Sequence, residues 1–218
     1  MKNTWLFLSK LSKNNNREWF EKNKATYLAA KDEFEDFVAS VLQETIKFQP
    51  DYAHLEARKL IFRIYRDVRF SKDKKPYKTN MGAGFSPGGK LIQEPGYYLH
   101  IEPGNKSFIA GGLYMPEPPL LAKVRQEIDY NGDKLKKIFA RAEFKKAVAG
   151  WDDFDKLKKV PKGYDAEHPL AEWLKLKSFV VTCKLTDKQV TAPGFAKEAA
   201  KTFKLIKPLN DFLKLAIA

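Results

Sequence analysis

The chain has 218 residues, and its 44% hydrophobic and 13% aromatic content is enough to fill a sizeable core. Charged residues make up 31% and the net charge is +13, and no apolar run approaches the roughly 20 residues that cross a bilayer, which argues against a membrane protein. The opening MKNTWLFLSKLSKNNN has an apolar stretch too short for a signal sequence, so the cytoplasm is the expected location.

Cys183 is the single cysteine, which rules out an internal disulfide and any zinc site built on a cysteine cluster. It reads as a small buried hydrophobe. His54, His100 and His168 lie far apart and form no metal-binding pattern, so neither a metal nor a cofactor is expected.

In chain order, Asn15 with Glu18 three residues later predicts a helix start of the capping-box kind, with Trp19 and Phe20 as its apolar anchors. Arg17 and Trp19 are candidates for lining a ligand site. Tyr27, Leu28, Phe34, Phe37, Val38, Val41, Leu42 and Ile46 then recur at spacings of three and four, predicting a helix from Lys24 to about Phe48.

From Lys59 the period becomes two. Leu60, Phe62, Ile64, Val68 and Phe70 fall on one face of an expected strand, and Arg63, Tyr65, Asp67 and Arg69 fall on the other, with Arg66 interrupting the apolar face. Three further strands are expected at 80–85, 96–102 and 108–114, separated by turn-forming SPGG, EPG and EPGN, and a fifth at 178–185. Helices are expected at 118–128, at 134–149 after an Asn131-Gly132 turn, near Pro169, and at 194–215 with a kink at Pro208. The fold class is α+β: one domain in which an antiparallel sheet packs against N-terminal and C-terminal helices.

The positive charge is unevenly spread. Residues 58–90 hold ten basic and two acidic side chains, a net +8 within 33 residues. In FRIYRDVRFSKDKKPYKT, residues 62–79, the side chains of Arg63, Asp67 and Arg69 on one face of a strand would be spaced at multiples of roughly 6.5 Å, which suits a multiply charged anion. Guanidinium groups pair with phosphate and carboxylate through two parallel hydrogen bonds. Arg63, Arg66, Arg69, Lys72, Lys75, Tyr77 and Lys78 are therefore the candidate anion-binding residues, with Asp67 orienting its neighbours and Tyr77 free to stack on a base. The bland alternative is a solvated sheet face whose charges protect an edge strand.

GYYLHIEPG, residues 96–104, places Tyr98, His100 and Glu102 on one strand face. An imidazole beside a carboxylate can act as an oriented general base or can serve only as a hydrogen-bonded structural pair. Gly111-Gly112 can form a nest of backbone amides for an anion, or can mark a bulge or close packing.

NNNREWF at 14–20, FRIYRDVRFSKDKKPYKT at 62–79, GYYLHIEPG at 96–104 and GGLYMP at 111–116 together resemble a widespread, chiefly bacterial family of conserved hypothetical proteins catalogued as a domain of unknown function. The resemblance spans about residues 4–215 and implies one domain, with no activity to transfer. Where that family often has three glycines this chain has Ala110-Gly111-Gly112, which weakens the proposed nest.

The expected function is binding of a phosphorylated or carboxylated small molecule, with His100, Glu102 and Asp67 as candidate proton-handling groups and catalysis left open. The alternatives are a nucleic-acid-binding protein using the same arginines, lysines and tyrosines, a module docking an acidic protein, and charge that serves solubility alone. No Walker loop, dinucleotide fingerprint, nucleophile elbow, recognition helix or RNA-binding aromatic motif is present.

Overall fold

In the computed structural model, which describes residues 1–90 and 93–218, three helices open the chain: α1 (Lys2–Lys13), α2 (Arg17–Lys22) and α3 (Lys24–Ile46). A 3-10 turn at Pro50–Tyr52 and a single helical turn, α4 (Ala57–Leu60), lead toward the sheet. Strands β1 (Met81–Phe85), β2 (Gly96–Ile101) and β3 (Phe108–Leu113) form an antiparallel meander. After α5 (Pro118–Ala140), α6 (Ala142–Ala147) and α7 (Ala171–Leu174), strand β4 (Phe179–Lys184) returns to pair with β3. Helices α8 (Asp187–Thr191) and α9 (Phe195–Ile217) close the chain, giving the α+β architecture expected from the sequence.

Alternation decides which side of the sheet meets the helices. Ala83, Leu99, Ile109 and Cys183 are in register across the four strands and all buried. In the next row Tyr97 stacks on Phe203 of α9 at 4.4 Å between ring centroids, and Gly111 lies beneath Ile206 of the same helix. Phe37 of α3 stacks in turn on Phe195 of α9, so helices from both ends of the chain share one core with the sheet. Pro208 lies within α9 without ending it.

Two expectations are corrected. The stretch from Lys59 to Phe70 is not a strand: α4 ends at Leu60, and the segment beyond makes only isolated pairings, Ile61 with Ala83 and Tyr65 with Tyr77. It folds back on itself, with the Arg66 amide donating to the Pro76 carbonyl and the Lys78 amide to that of Ile64. The Arg66 side chain, which interrupted the apolar face, closes the loop by donating to Asp73, Ser71 and the Lys75 carbonyl. Leu60 and Ile64 are still buried, but Phe70 is 94% exposed.

The helix start also falls one residue later than expected. Asn16 is the cap, its side chain accepting from the Trp19 amide at 2.9 Å. The break expected at Asn131-Gly132 is present as a kink within α5: Asn131 leaves the helical conformation at φ −124°, ψ 20°, and Gly132 fits against Leu170, where a Cβ would lie 2.2 Å from Cδ1.

Candidate functional site

On the sheet face opposite the helices, His100 is flanked in register by Gly82 of β1 and Phe108 of β3. Gly82 makes room for Tyr98, whose hydroxyl would lie 2.6 Å from a Cβ at that position. His100 stacks on Phe108 with ring centroids 4.5 Å apart, and its side chain is only 15% exposed.

Each polar atom of His100 has a partner. Nε2 lies 3.0 Å from Glu102 Oε2, and Nδ1 lies 3.3 Å from both Asn80 Nδ2 and the Tyr98 hydroxyl. An ionised carboxylate only accepts, so Nε2 carries the ring proton and Nδ1 accepts. Glu102 takes a second hydrogen bond from the Thr79 hydroxyl at 2.9 Å, with Lys106 at 3.6 Å.

Burial pushes the His100 pKa below the usual imidazole value, opposed by Glu102 and reinforced by the charge of Lys78. The Glu102 carboxyl is penalised by burial, yet the hydrogen bonds from His100 and Thr79 outweigh this and hold it below the usual carboxylate range. The pair is therefore a neutral imidazole on a carboxylate near pH 7. Burial raises the Tyr98 phenol, which keeps its proton.

Cations gather beside this pair. Lys78 is half-buried, and burial lowers its pKa first, followed by repulsion from Arg63 and Lys90. The ammonium groups of Lys78 and Lys90 sit 5.7 and 5.6 Å from the Phe62 ring centroid, a favourable but small compensation. Lys78 has no carboxylate within ion-pairing distance among the described residues. A cleft of about 240 Å³, lined by Asn15, Arg66, Lys75, Lys78, Thr79 and Asn80 among others, runs from the basic loop to the residues that hold His100 and Glu102.

The sequence-predicted residues therefore divide. His100, Glu102 and Lys78 come together, with Arg63 close enough to act on Lys78. Asp67 stands apart on the exposed loop, bound to Arg69 at 2.6 Å, and does not reach His100. Arg66 is committed to Asp73 at 2.7 Å, while Lys72 and Lys75 are exposed on the same loop. Tyr77 is 4% exposed and stacked on Phe20 at 3.9 Å, so its ring is core and has no free face for a base. Gly111 and Gly112 are used for close packing, against Ile206 and the Phe179 backbone.

Three residues escaped the sequence reading of the site, Asn15, Thr79 and Asn80, and Tyr98 was placed on its face without a role. Thr79 and Asn80 carry no sequence signal. Tyr98 shares the face of His100, and the alternation that paired His100 with Glu102 also marks it. Three successive asparagines, where a helix start needs one, mark Asn15.

The Asn15 side chain donates to the Tyr77 carbonyl at 2.9 Å and accepts from the Tyr77 amide at 3.1 Å. This strand-like clamp ties the segment entering the site to the α1–α2 corner. Asn15→Ala leaves both backbone groups partly buried and unpaired, and is expected to cost about 1–3 kcal/mol. Urea denaturation measures that loss, and amide exchange at Tyr77 locates it.

The chain matches the sequence model of the family described as conserved hypothetical protein (DUF2461) over residues 3–212. It belongs to this family. No curated protein and no solved structure matches the chain. Among the described residues, no group of three or more His, Cys, Asp or Glu side chains is placed to hold a metal ion, and no helix is long and apolar enough to cross a membrane.

Proposed function

We propose that this protein is a cytoplasmic anion-binding protein whose ligand is phosphorylated or carboxylated, with the charged group of that ligand held by Lys78 and Arg63 beside the His100–Glu102 pair. The observation that carries the reading is Lys78, a half-buried ammonium repelled by Arg63 and Lys90, with no carboxylate partner among the described residues. Folding alone disfavours such a cluster, and a bound anion removes the repulsion. Charge-assisted hydrogen bonds to the anion then add to the affinity.

The adjacent imidazole gives the site a means of moving a proton. Glu102 fixes its tautomer, and Nδ1 faces the Tyr98 hydroxyl. Nδ1 is therefore the atom that takes up a proton, the Tyr98 hydroxyl keeps its own, and the carboxylate stabilises the imidazolium that forms. This arrangement suits general acid–base work on a ligand held at Lys78.

Sulfate is a suitable probe, since it does not titrate near neutral pH. Bound sulfate offsets the Lys78 charge that lowers the His100 pKa, so His100 takes up a proton on binding. Affinity is expected to strengthen as pH falls through the bound-state pKa and to level off below the free-state pKa, which lies under the ordinary 6.5. His100 ring resonances followed by NMR during a sulfate titration report both effects. Lys78→Ala is expected to weaken binding about tenfold or more, the equivalent of one charge-assisted hydrogen bond. Sulfate that leaves the His100 resonances unmoved at any pH sinks the proposal.

A further inference from the structure

The loop beyond the cleft carries features that a small-molecule site does not use. Residues 66–75 project from a base closed by the Tyr65–Tyr77 pairing and the Arg66 hydrogen bonds. The two carboxylates of the loop are occupied by its own arginines, Asp67 by Arg69 and Asp73 by Arg66. Lys72, Lys74 and Lys75 are left with no carboxylate partner among the described residues. Between these groups stands Phe70, an aromatic ring 94% exposed, with Tyr65 at the base of the loop 47% exposed.

We infer that the ligand of the Lys78 site is one phosphate group of a single-stranded nucleic acid, with Phe70 stacking on a base and the loop lysines following the strand. This rests on the anion-binding reading of Lys78 and names the ligand class. The cations do not ring the loop tip alone: Lys75 lines the cleft that continues to Lys78, with the Arg66–Asp73 pair in its wall, so the lysines lead from the loop to the site. An extended polyanion matches such a track.

The cleft volume agrees with this. At about 240 Å³ it falls below the roughly 300–1,000 Å³ of pockets that enclose a whole small molecule, so it accommodates one group of a ligand whose remainder lies outside. A ring this exposed, with the Arg69 guanidinium 5.7 Å from its centroid, binds an unpaired base through its π-face, whereas duplex bases are already stacked on each other. A lipid surface would meet the tip of the loop and leave the cations in the cleft unused.

The test is binding of a fluorescent single strand of mixed sequence across a salt series, beside the matching duplex and phosphatidylserine-containing vesicles. Phe70→Ala and the triple variant Lys72→Ala/Lys74→Ala/Lys75→Ala change only exposed side chains, and thermal melts check that each is folded. The strand is expected to bind more tightly than the duplex, and Phe70→Ala to weaken it about five- to hundredfold, the range for losing one stacked base. Removing three cations is expected to flatten the dependence of log K on log salt by roughly 2.

Three results overturn the inference: no strand binding near physiological salt, strand binding that is indifferent to Phe70→Ala, or binding to vesicles without binding to the strand. Sulfate titration of His100 in the wild-type protein and in Phe70→Ala separates this outcome from failure of the anion site. If sulfate still moves His100 and the strand does not bind, the Lys78 reading stands and the nucleic-acid ligand falls.

Discussion

Gly112→Ala is expected to lower stability by about 4 kcal/mol or more, enough to bring the melting temperature down by roughly 10 °C. Gly112 sits at φ +132°, a conformation open to glycine and strained for any L side chain. A Cβ there would lie 1.9 Å from the Phe179 carbonyl oxygen and 2.9 Å from the Cα of Val180. Those atoms are strand backbone, with Gly112 in register with Val180 and Leu113 with Phe179, so relief requires β3 and β4 to part. Gly104 supplies the control. It has φ +91° with nothing within 4 Å of a Cβ, so Gly104→Ala adds strain of about 1–3 kcal/mol without a clash. Urea denaturation of both variants decides between the two causes, and equal losses would show that the backbone contact contributes nothing.

The sheet was legible because a period of two survives wherever one face of a strand is buried. Leu99 and Ile101 point into the core and Tyr98 and His100 point away from it, as alternation in GYYLHI requires. The segment at 59–70 carries the same period and yet is no strand. Alternation records which side chains face a core, and Leu60 and Ile64 do so, but pairing also needs a neighbour along the whole length. Here β1 accepts only the first residues, the Phe62 amide donating to the Gly82 carbonyl, and Arg66 then turns the chain back toward Pro76.

Legibility of the candidate site follows the same physics. His100 and Glu102 were readable together because residues two apart on a strand share a face, and their hydrogen bond follows from that spacing. Asp67 would share a face with Arg63 only on a strand running to Phe70, which the chain does not form. In the observed loop its nearest charge is Arg69, two residues away. Tyr77 looked available because the sequence cannot show that Phe20, more than fifty residues earlier, lies flat against its ring. The contribution of Asn80 was likewise hidden, since it depends on the register of β1 with β2 and on nothing local.

Phe20 is where these long-range dependences meet, and Phe20→Ala is expected to cost about 3–5 kcal/mol. The side chain is fully buried, stacked on Tyr77 with an interplanar angle of 10°, and packed against Phe7 and Tyr27 at 6.0 and 4.9 Å. Tyr65 meets the same ring from the other arm of the basic loop at 5.9 Å, so both arms are held by one side chain. Truncation opens a cavity under the Tyr65–Tyr77 pairing and frees the segment that carries Lys78, Thr79 and Asn80. Amide exchange at Tyr77 and Lys78 should accelerate more than exchange in β3, and sulfate affinity should fall although no ligand-binding group has been removed. Phe20→Leu retains most of the buried volume and is expected to recover the larger part of both losses. If exchange rises uniformly across the sheet and the basic segment alike, Phe20 stabilises the fold as a whole and plays no particular part in holding the site.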